Sequence, residues 1–335
     1  MKKEMDADAV LVGVDDGYRE TKLAWRDKKG GLKTFKVPSS VRIGALGVSS
    51  FDGKVSGYET EGITYSVGDF TDGEDTRFPG YAVSPIVRVL VHHALIGAGF
   101  EGKKVGIATG LPPRDAYLPS GERNVGLIAQ KKERMAVPVS RRDGGKLASI
   151  VGHEVYTQGI GALVDYLSAK NEEIPGPVGV VDVGGQTTDV AVIVPGPEGM
   201  AVDLRRSGSE SVGVLDVLDE ISRLIRVQEH LDDRLPVSAL ERALSSGEMM
   251  LWGKKKDVTA IVNQAKSEIA ERIRRFVTGK IGRGVDLSFV LFSGGGAKVL
   301  DGIFSYPHLV ESEDPQFANA RGFLYYLELV NGAGE

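Results

Sequence analysis

Two short segments of this chain repeat each other about half of its 335 residues apart. The first is Val14-Asp15-Asp16-Gly17, followed by Thr21 and Lys22; the second is Val181-Asp182-Val183-Gly184-Gly185, followed by Thr187, Thr188 and Asp189. Each is a β-branched apolar run that ends in aspartate, breaks at glycine and resumes as a second apolar run, which is the pattern of a β-hairpin with a polar tip. A strand ending in aspartate puts a carboxylate at the rim of a sheet, and the glycines let backbone N–H groups approach a ligand oxygen closely. Two such hairpins facing each other would hold a phosphate chain from both sides. A third glycine-rich element, Ser293-Gly294-Gly295-Gly296-Ala297, follows the apolar run Leu287 to Phe292 and opens a helix, where backbone can press on a flat or anionic ligand. Singly, each has a plain structural explanation as a common turn or a polar strand end. Together and in this order they point to a nucleotide site.

A chain of this length exceeds the size at which one core usually stops growing, so two units with a cleft between them are expected. Residues 1–168 plus 308–335 form the first expected unit and 174–307 the second, joined at Pro175-Gly176-Pro177. Strands are expected at Ala9 to Asp15, Thr21 to Trp25, Lys33 to Val37 and within Val55 to Val67, where Gly57 and Gly62 read as turn positions. Ser84-Pro85 opens a helix reaching Gly97, serine being a good N-cap and proline suiting the first helical position. Lys104 to Thr109 reads as a strand stopped at Gly110-Leu111-Pro112-Pro113. Glu154 to Lys170 carries helical spacing; Val178 to Val183, Thr188 to Val194 and Leu287 to Phe292 read as strands. Further helices are expected over Val212 to Arg226, Asp257 to Thr278 and Gln316 to Val330. The fold class is therefore α/β, with mixed sheets flanked by helices.

The absence of cysteine excludes disulfides, thiolate metal sites and cysteine nucleophiles. A net charge of −5 argues against direct non-specific nucleic-acid binding, which relies on many neutralised phosphates. The basic clusters Lys131, Lys132 and Arg134, Lys254 to Lys256, and Arg272, Arg274 and Arg275 read as solvated faces. No run approaches the ~20 apolar residues that span a bilayer, and the N-terminus lacks the apolar segment of a signal peptide, so no membrane contact and a cytoplasmic location are expected.

In order, the Asp15 hairpin with Lys22, the Asp182 hairpin with its Thr-Thr-Asp tail, and the Ser293-to-Ala297 turn resemble the phosphate-1, phosphate-2 and adenosine motifs of the actin/Hsp70/sugar-kinase superfamily. Within it, Val14 to Gly17 followed by Lys22-Leu23-Ala24-Trp25, His92-His93-Ala94-Leu95 and the loop from Thr109 to Pro112 resemble the plasmid-segregation actins of the ParM (StbA) family. That resemblance implies a two-domain actin-like (ribonuclease H-like) fold with ATP, or GTP, and Mg²⁺ in the cleft. It assigns Asp15 and Asp182 to the metal and its water, Asp182 also to catalysis, and Gly17, Gly184, Gly185, Thr187 and Thr188 to phosphate loops. Lys22 becomes a phosphate contact, and Gly294 and Gly295 neighbours of the adenosine. Asn263 and Lys266, one helical turn apart, match positions that contact ribose, although a solvated face explains them as well. Glu154, read at the start of a helix with Gly159 in the next turn, resembles the glutamate that positions the attacking water; otherwise it is a first-turn glutamate favoured by the helix dipole. Gln186 and Gln158 are the next polar candidates for that water. Tyr18-Arg19-Glu20 departs from the small hydroxyl residues common in the first loop. His92 and His93 read as helix residues, one packed and one solvated.

The implied function is an ATPase that polymerises head to tail into nucleotide-dependent filaments and moves plasmid DNA through a separate DNA-binding adaptor. A small-molecule kinase of the sugar-kinase branch and a cytoskeletal actin with no segregation role are the alternatives, since fold alone does not assign function.

Overall fold

The computed structural model describes residues 6, 8–45, 56–68, 70, 73–170, 176–196 and 199–332. The first part of the chain runs β1 (Val10–Asp16), β2 (Glu20–Arg26), β3 (Leu32–Pro38), β4 (Val41–Ile43), β5 (Ser56–Thr60), β6 (Ile63–Val67), α1 (Pro85–Gly97), β7 (Lys104–Leu111), α2 (Pro113–Ala116), α3 (Val125–Met135), β8 (Ser140–Arg141), β9 (Ser149–Thr157) and α4 (Ile160–Lys170). A mixed sheet forms in the order β3-β2-β1-β7-β9, and a smaller one in the order β4-β6-β5-β8. Successive residues of β1 point to opposite faces. Val12 and Val14 join the core under α1, which includes Leu90 and Ile107, while Leu11 and Gly13 face the last helix of the chain. Helix α1 begins where the sequence places it: Ser84 Oγ accepts the N–H of Val87 at 3.3 Å and Pro85 takes the first position.

The second part runs β10 (Val178–Val183), β11 (Thr188–Gly196), β12 (Gly199–Val202), β13 (Gly208–Glu210), α5 (Val214–Glu229), α6 (Val237–Ser246), β14 (Glu248–Leu251), β15 (Lys254–Asp257), α7 (Thr259–Ile281), β16 (Val290–Ser293), α8 (Gly295–Val299), β17 (Leu309–Glu311) and α9 (Ala318–Val330). Its sheet has the order β12-β11-β10-β16-β17, with β13 also on β11. β10 pairs antiparallel with β11 and parallel with β16, as β1 does with β2 and β7. The duplication expected from the two hairpins is thus present in the sheets. Val181 and Val183 on one face of β10 pack into the core with Ile221 of α5 and Ile273 of α7, and Val178 and Val180 on the other face pack against α4.

Helices α4 and α9 cross between the two sheets. α4 follows the first sheet yet buries Ala162 and Leu163 against Val180, Ala191 and Leu291 of the second. α9 ends the chain yet lies on the first sheet, with Leu324 against Ala24 and Phe323 and Leu327 against Ala108. The two helices meet backbone to backbone: a Cβ at Gly322 would lie 1.8 Å from the Gly161 carbonyl oxygen. Arg321 seals the crossing with two hydrogen bonds of 2.7 Å to the Asp165 carboxylate.

The structure corrects several sequence expectations. Residues 154–157 belong to β9, and the helix begins only at Ile160. Parallel pairing with β7, Ala108 opposite Glu154, satisfies this backbone, and Gly159 at φ +77° ends the extended run. β7 continues through Gly110 to Leu111 before Pro112. Gly57 lies inside β5, and the turn falls at Glu61 and Gly62, both at positive φ. Lys131, read as solvated, is 1% exposed. α3, α6 and the β14–β15 hairpin were not foreseen; Val55 and Pro175 lie outside the described residues.

Candidate nucleotide cleft

The tips of the β1–β2 and β10–β11 hairpins face each other closely enough that a Cβ at Gly185 would lie 2.7 Å from Arg19 Cβ. Between them runs a cleft of about 770 Å³ including its open mouth, lined by Asp15, Gly17, Lys22, Asp182, Gly184, Gly185, Thr187, Gly294 and Gly295 among others. These nine sequence candidates come together from β1, the β1–β2 turn, β2, β10, the β10–β11 turn and the start of α8. Gly294, at φ +83°, is the position where glycine is required: a Cβ there would lie 2.2 Å from Asp182 Oδ1.

Four aspartates lie buried around the floor of the cleft. Asp15 accepts from Lys22 Nζ at 3.0 Å and from Gln158 Nε2 at 3.2 Å. Asp16 pairs with Lys131 at 2.7 Å, and Lys131 also donates to the Gly110 carbonyl at 2.6 Å. Burial raises the Asp16 pKa even against that lysine. Asp182 accepts from Asn319 Nδ2 at 2.5 Å. Burial, with the Asp15 charge adding, pushes it up to about 6. Asp189 accepts from Thr187 Oγ1 at 3.0 Å, while its Oδ1 and the facing Ser209 hydroxyl lack a hydrogen bond of normal geometry. Burial, with the Asp182 charge adding, pushes Asp189 up to about 7. Lys22 stays charged because Asp15 and Glu20 outweigh the burial that opposes its charge.

The tip of the second hairpin is fixed from outside the cleft. Gly184 N–H bonds to the Thr187 carbonyl, and the first N–H groups of α5, from Val214 and Leu215, bond to the carbonyls of Gly184 and Gly185. The first tip is held similarly, Gly17 carbonyl accepting from Ser39 Oγ at 2.7 Å and Tyr81 OH at 3.1 Å.

Four sequence candidates do not meet here. Thr188 lies outside the lining and donates its hydroxyl to the Val212 carbonyl at 2.8 Å. Glu154, in mid-strand, pairs with Lys132 at 2.8 Å and is not among the lining residues. Asn263 and Lys266 lie on α7, also away from the lining. Their polar side chains fit the outward face of a helix whose buried residues include Val262, Ala265 and Ile269. Conversely, the cleft includes Arg19, Lys131, Gln158 and Asn319. Gln158 is named from sequence as a reserve candidate for the attacking water, and the strand end that places it in the cleft is seen only in the structure.

Among the described residues no group of three or more His, Cys, Asp or Glu is placed to cage a metal. Mg²⁺ does not need such a cage, since it keeps several waters and binds one or two carboxylates plus phosphate oxygens. The raised pKa of Asp182, to which burial and the neighbouring Asp15 charge both contribute, marks an excess of buried negative charge that a divalent cation would relieve. The donor set fits the ion, with Asp15 and Asp182 the residues that would hold it through its waters.

Comparison with known proteins agrees with this fold. A model of the N-terminal part of the plasmid segregation protein ParM matches residues 10–167, and a model of the C-terminal part of the archaeal actin homologue MreB-like matches residues 180–305. An archaeal actin homolog of Thermoplasma volcanium is 27% identical over 333 residues, covering 94% of this chain and 97% of that protein. Its counterpart in Thermoplasma acidophilum is 27% identical over 336 residues, with the same coverage. Among solved structures, an archaeal actin homolog in complex with ADP superposes with a TM-score of 0.74 at 24% identity over 96% of this chain and 99% of its own. A 15-stranded ParM filament from Clostridium botulinum gives 0.72 at 18% identity, again over 96% and 99%.

Proposed function

We propose that this chain, which has the two-domain actin-like fold and resembles both ParM and the archaeal actin homologues, is an ATPase whose nucleotide state governs its assembly into filaments. The observation that carries this reading is the pair of glycine-tipped hairpins facing each other across buried carboxylates, with Gly294 and Gly295 alongside. ATP, or GTP, would lie with its phosphates between the two tips and its adenosine or guanosine beside the glycines of α8. Mg²⁺ would supply charge neutralisation on the phosphates. Asp15 and Asp182 would hold the ion through its waters, Lys22 keeps Asp15 in place, and Gln158, held on Asp15, would orient the attacking water. A glutamine has no useful basicity, so its part is positioning.

Support for assembly comes from the filament that one structural neighbour forms, and support for a bound nucleotide from the ADP complex of another. A head-to-tail contact whose rotation does not close yields such a polymer. We assign plasmid DNA as the cargo, reached through a DNA-binding adaptor in keeping with the net charge of −5. A second reading, a cytoskeletal filament without a plasmid cargo, draws on the archaeal actin homologs that match 94% of the chain.

Light scattering and negative-stain microscopy with Mg-ATP, ADP, Mg-ATP plus EDTA and no nucleotide test the main reading. Filaments should form with Mg-ATP and fade as ADP accumulates. Nucleotide should also raise Tm, since a ligand at a hundredfold excess over Kd adds about 2.7 kcal/mol to the native state. Discrete particles in every condition, or no Tm shift with millimolar ATP or GTP, would sink it. Deleting the gene should raise the loss rate of the replicon that carries it; an unchanged rate favours the second reading.

A further inference from the structure

We propose that Arg19 is a phosphate-binding residue for which Glu241 competes, so that nucleotide enters by exchanging the Glu241 carboxylate for its own phosphates. The proposal rests on the nucleotide reading of the cleft and adds to it a residue and a competition.

Charge within the cleft singles out Arg19. Among the described residues lining it, the cations are Arg19, Lys22 and Lys131. Lys22 is committed to Asp15 at 3.0 Å and Lys131 to Asp16 at 2.7 Å, each inside the first half of the chain. A polyphosphate adds several negative charges to a site already crowded with aspartates. Arg19 is paired as well, but to a carboxylate of the other half and with its side chain 21% exposed against 11% for Lys22 and 1% for Lys131, so it is the cation freest to change partners.

Position agrees. Arg19 stands at the tip of the first hairpin, its backbone N 3.0 Å from the place of a Cβ at Gly185, and its Nη1 lies 3.9 Å from the corresponding point at Gly295. The side chain therefore passes from the second phosphate hairpin toward the α8 glycines, across the space a nucleotide would need. It ends on α6 of the other half, where Nε donates to Glu241 Oε1 at 2.6 Å and Nη2 to Oε2. A guanidinium binds carboxylate and phosphate with the same two-pronged geometry, so Glu241, which with Arg19 lines the cavity adjoining the cleft, occupies the fork that a phosphate would use. The side chains are 21% and 30% exposed, accessible enough for exchange without unpacking a core.

Calorimetric titration of the full-length protein with Mg²⁺ and a non-hydrolysable ATP analogue distinguishes exchange from a simple brace. Arg19→Ala should weaken binding at least tenfold, in line with a lost charge-assisted hydrogen bond. Glu241→Gln should tighten it about three- to tenfold, because the competent state no longer has to be won from a competitor. Arg19→Lys, which keeps charge without the fork, should fall between wild type and Arg19→Ala. The Arg19→Ala loss should be much smaller for AMP. Glu241→Gln should also lower the Tm of nucleotide-free protein while leaving that of loaded protein nearly unchanged. A structural brace would make both substitutions weaken binding together. That outcome, or two unchanged affinities beside a wild type that binds, overturns the exchange and leaves the nucleotide reading standing. A wild type that binds no nucleotide overturns both.

Discussion

Gln158 and Glu154 are four residues apart, and their surroundings give them opposite prospects. Gln158 leaves the end of β9 into the cleft and donates to Asp15, whereas Glu154 sits in mid-strand against Lys132. Replacing Gln158 with Ala should slow phosphate release roughly 10²-fold with nucleotide affinity and filament growth retained. Glu154→Ala should hydrolyse at nearly the wild-type rate, and a phosphate-release assay beside light scattering separates the two. A slow Glu154 variant with an unaffected Gln158 variant would return the role to the glutamate. Much of the floor of the cleft was legible from sequence because Asp15, Asp182, Gly184 and Gly294 follow a local rule, a strand end followed by glycine. Lys131, Arg19 and Asn319 were not, because what gives each its place is a partner far along the chain: Asp16, Glu241 and Asp182 respectively. No local pattern separates such a lysine from a solvated one.

At the level of elements, the hairpins and α1 were readable because turn residues and an N-cap mark their ends. β9 was misread because its spacing fits a helix in isolation and only the pairing with β7 decides otherwise. The α4–α9 crossing is likewise invisible locally, although it brings the Gly161 carbonyl oxygen within 1.8 Å of where a Cβ at Gly322 would lie. Gly322→Ala should therefore be among the costliest single-methyl additions, about 3 kcal/mol by overpacking, read as a lower urea midpoint with an unchanged slope. Gly279 on α7 has no atom within 4 Å of its would-be Cβ, and Gly279→Ala should stabilise slightly. Equal midpoints for the two variants would mean that the crossing yields more easily than its geometry indicates.

A buried histidine, His92, and a half-buried one, His153, shape the stability of the whole molecule. Burial, with Arg88 adding, holds His92 down to about 4, and burial, with Lys131 and Lys132 adding, holds His153 down to about 3. His153 Nε2 lies 2.8 Å from Thr109 Oγ1 and its Nδ1 has no partner. Both rings stay neutral in the folded protein at pH values where the unfolded chain protonates them. Their stabilising effect is complete above about pH 6.5 and is lost as pH falls toward the folded values, by up to about 1.4 kcal/mol per pH unit for each ring. His153→Gln should remove one ring's share, so the stability of wild type minus that of the variant should shrink between pH 6 and pH 4. Parallel curves for the two proteins would mean that His153 takes up its proton while folded.

The crossing of α4 and α9 is where a turn of one half against the other would be centred. Each helix comes from one half and beds on the other, so the attachment is a line, much as a door hangs on two pins. A line of attachment leaves one easy rotation and resists twisting and sliding. Points near the pins hardly travel, and points far from them sweep the widest arc. Exchanging one carboxylate for a phosphate at the hairpin tips is a small event, yet the leverage of such a hinge delivers it to the distant margins of both halves, where a neighbouring copy would feel a changed outline.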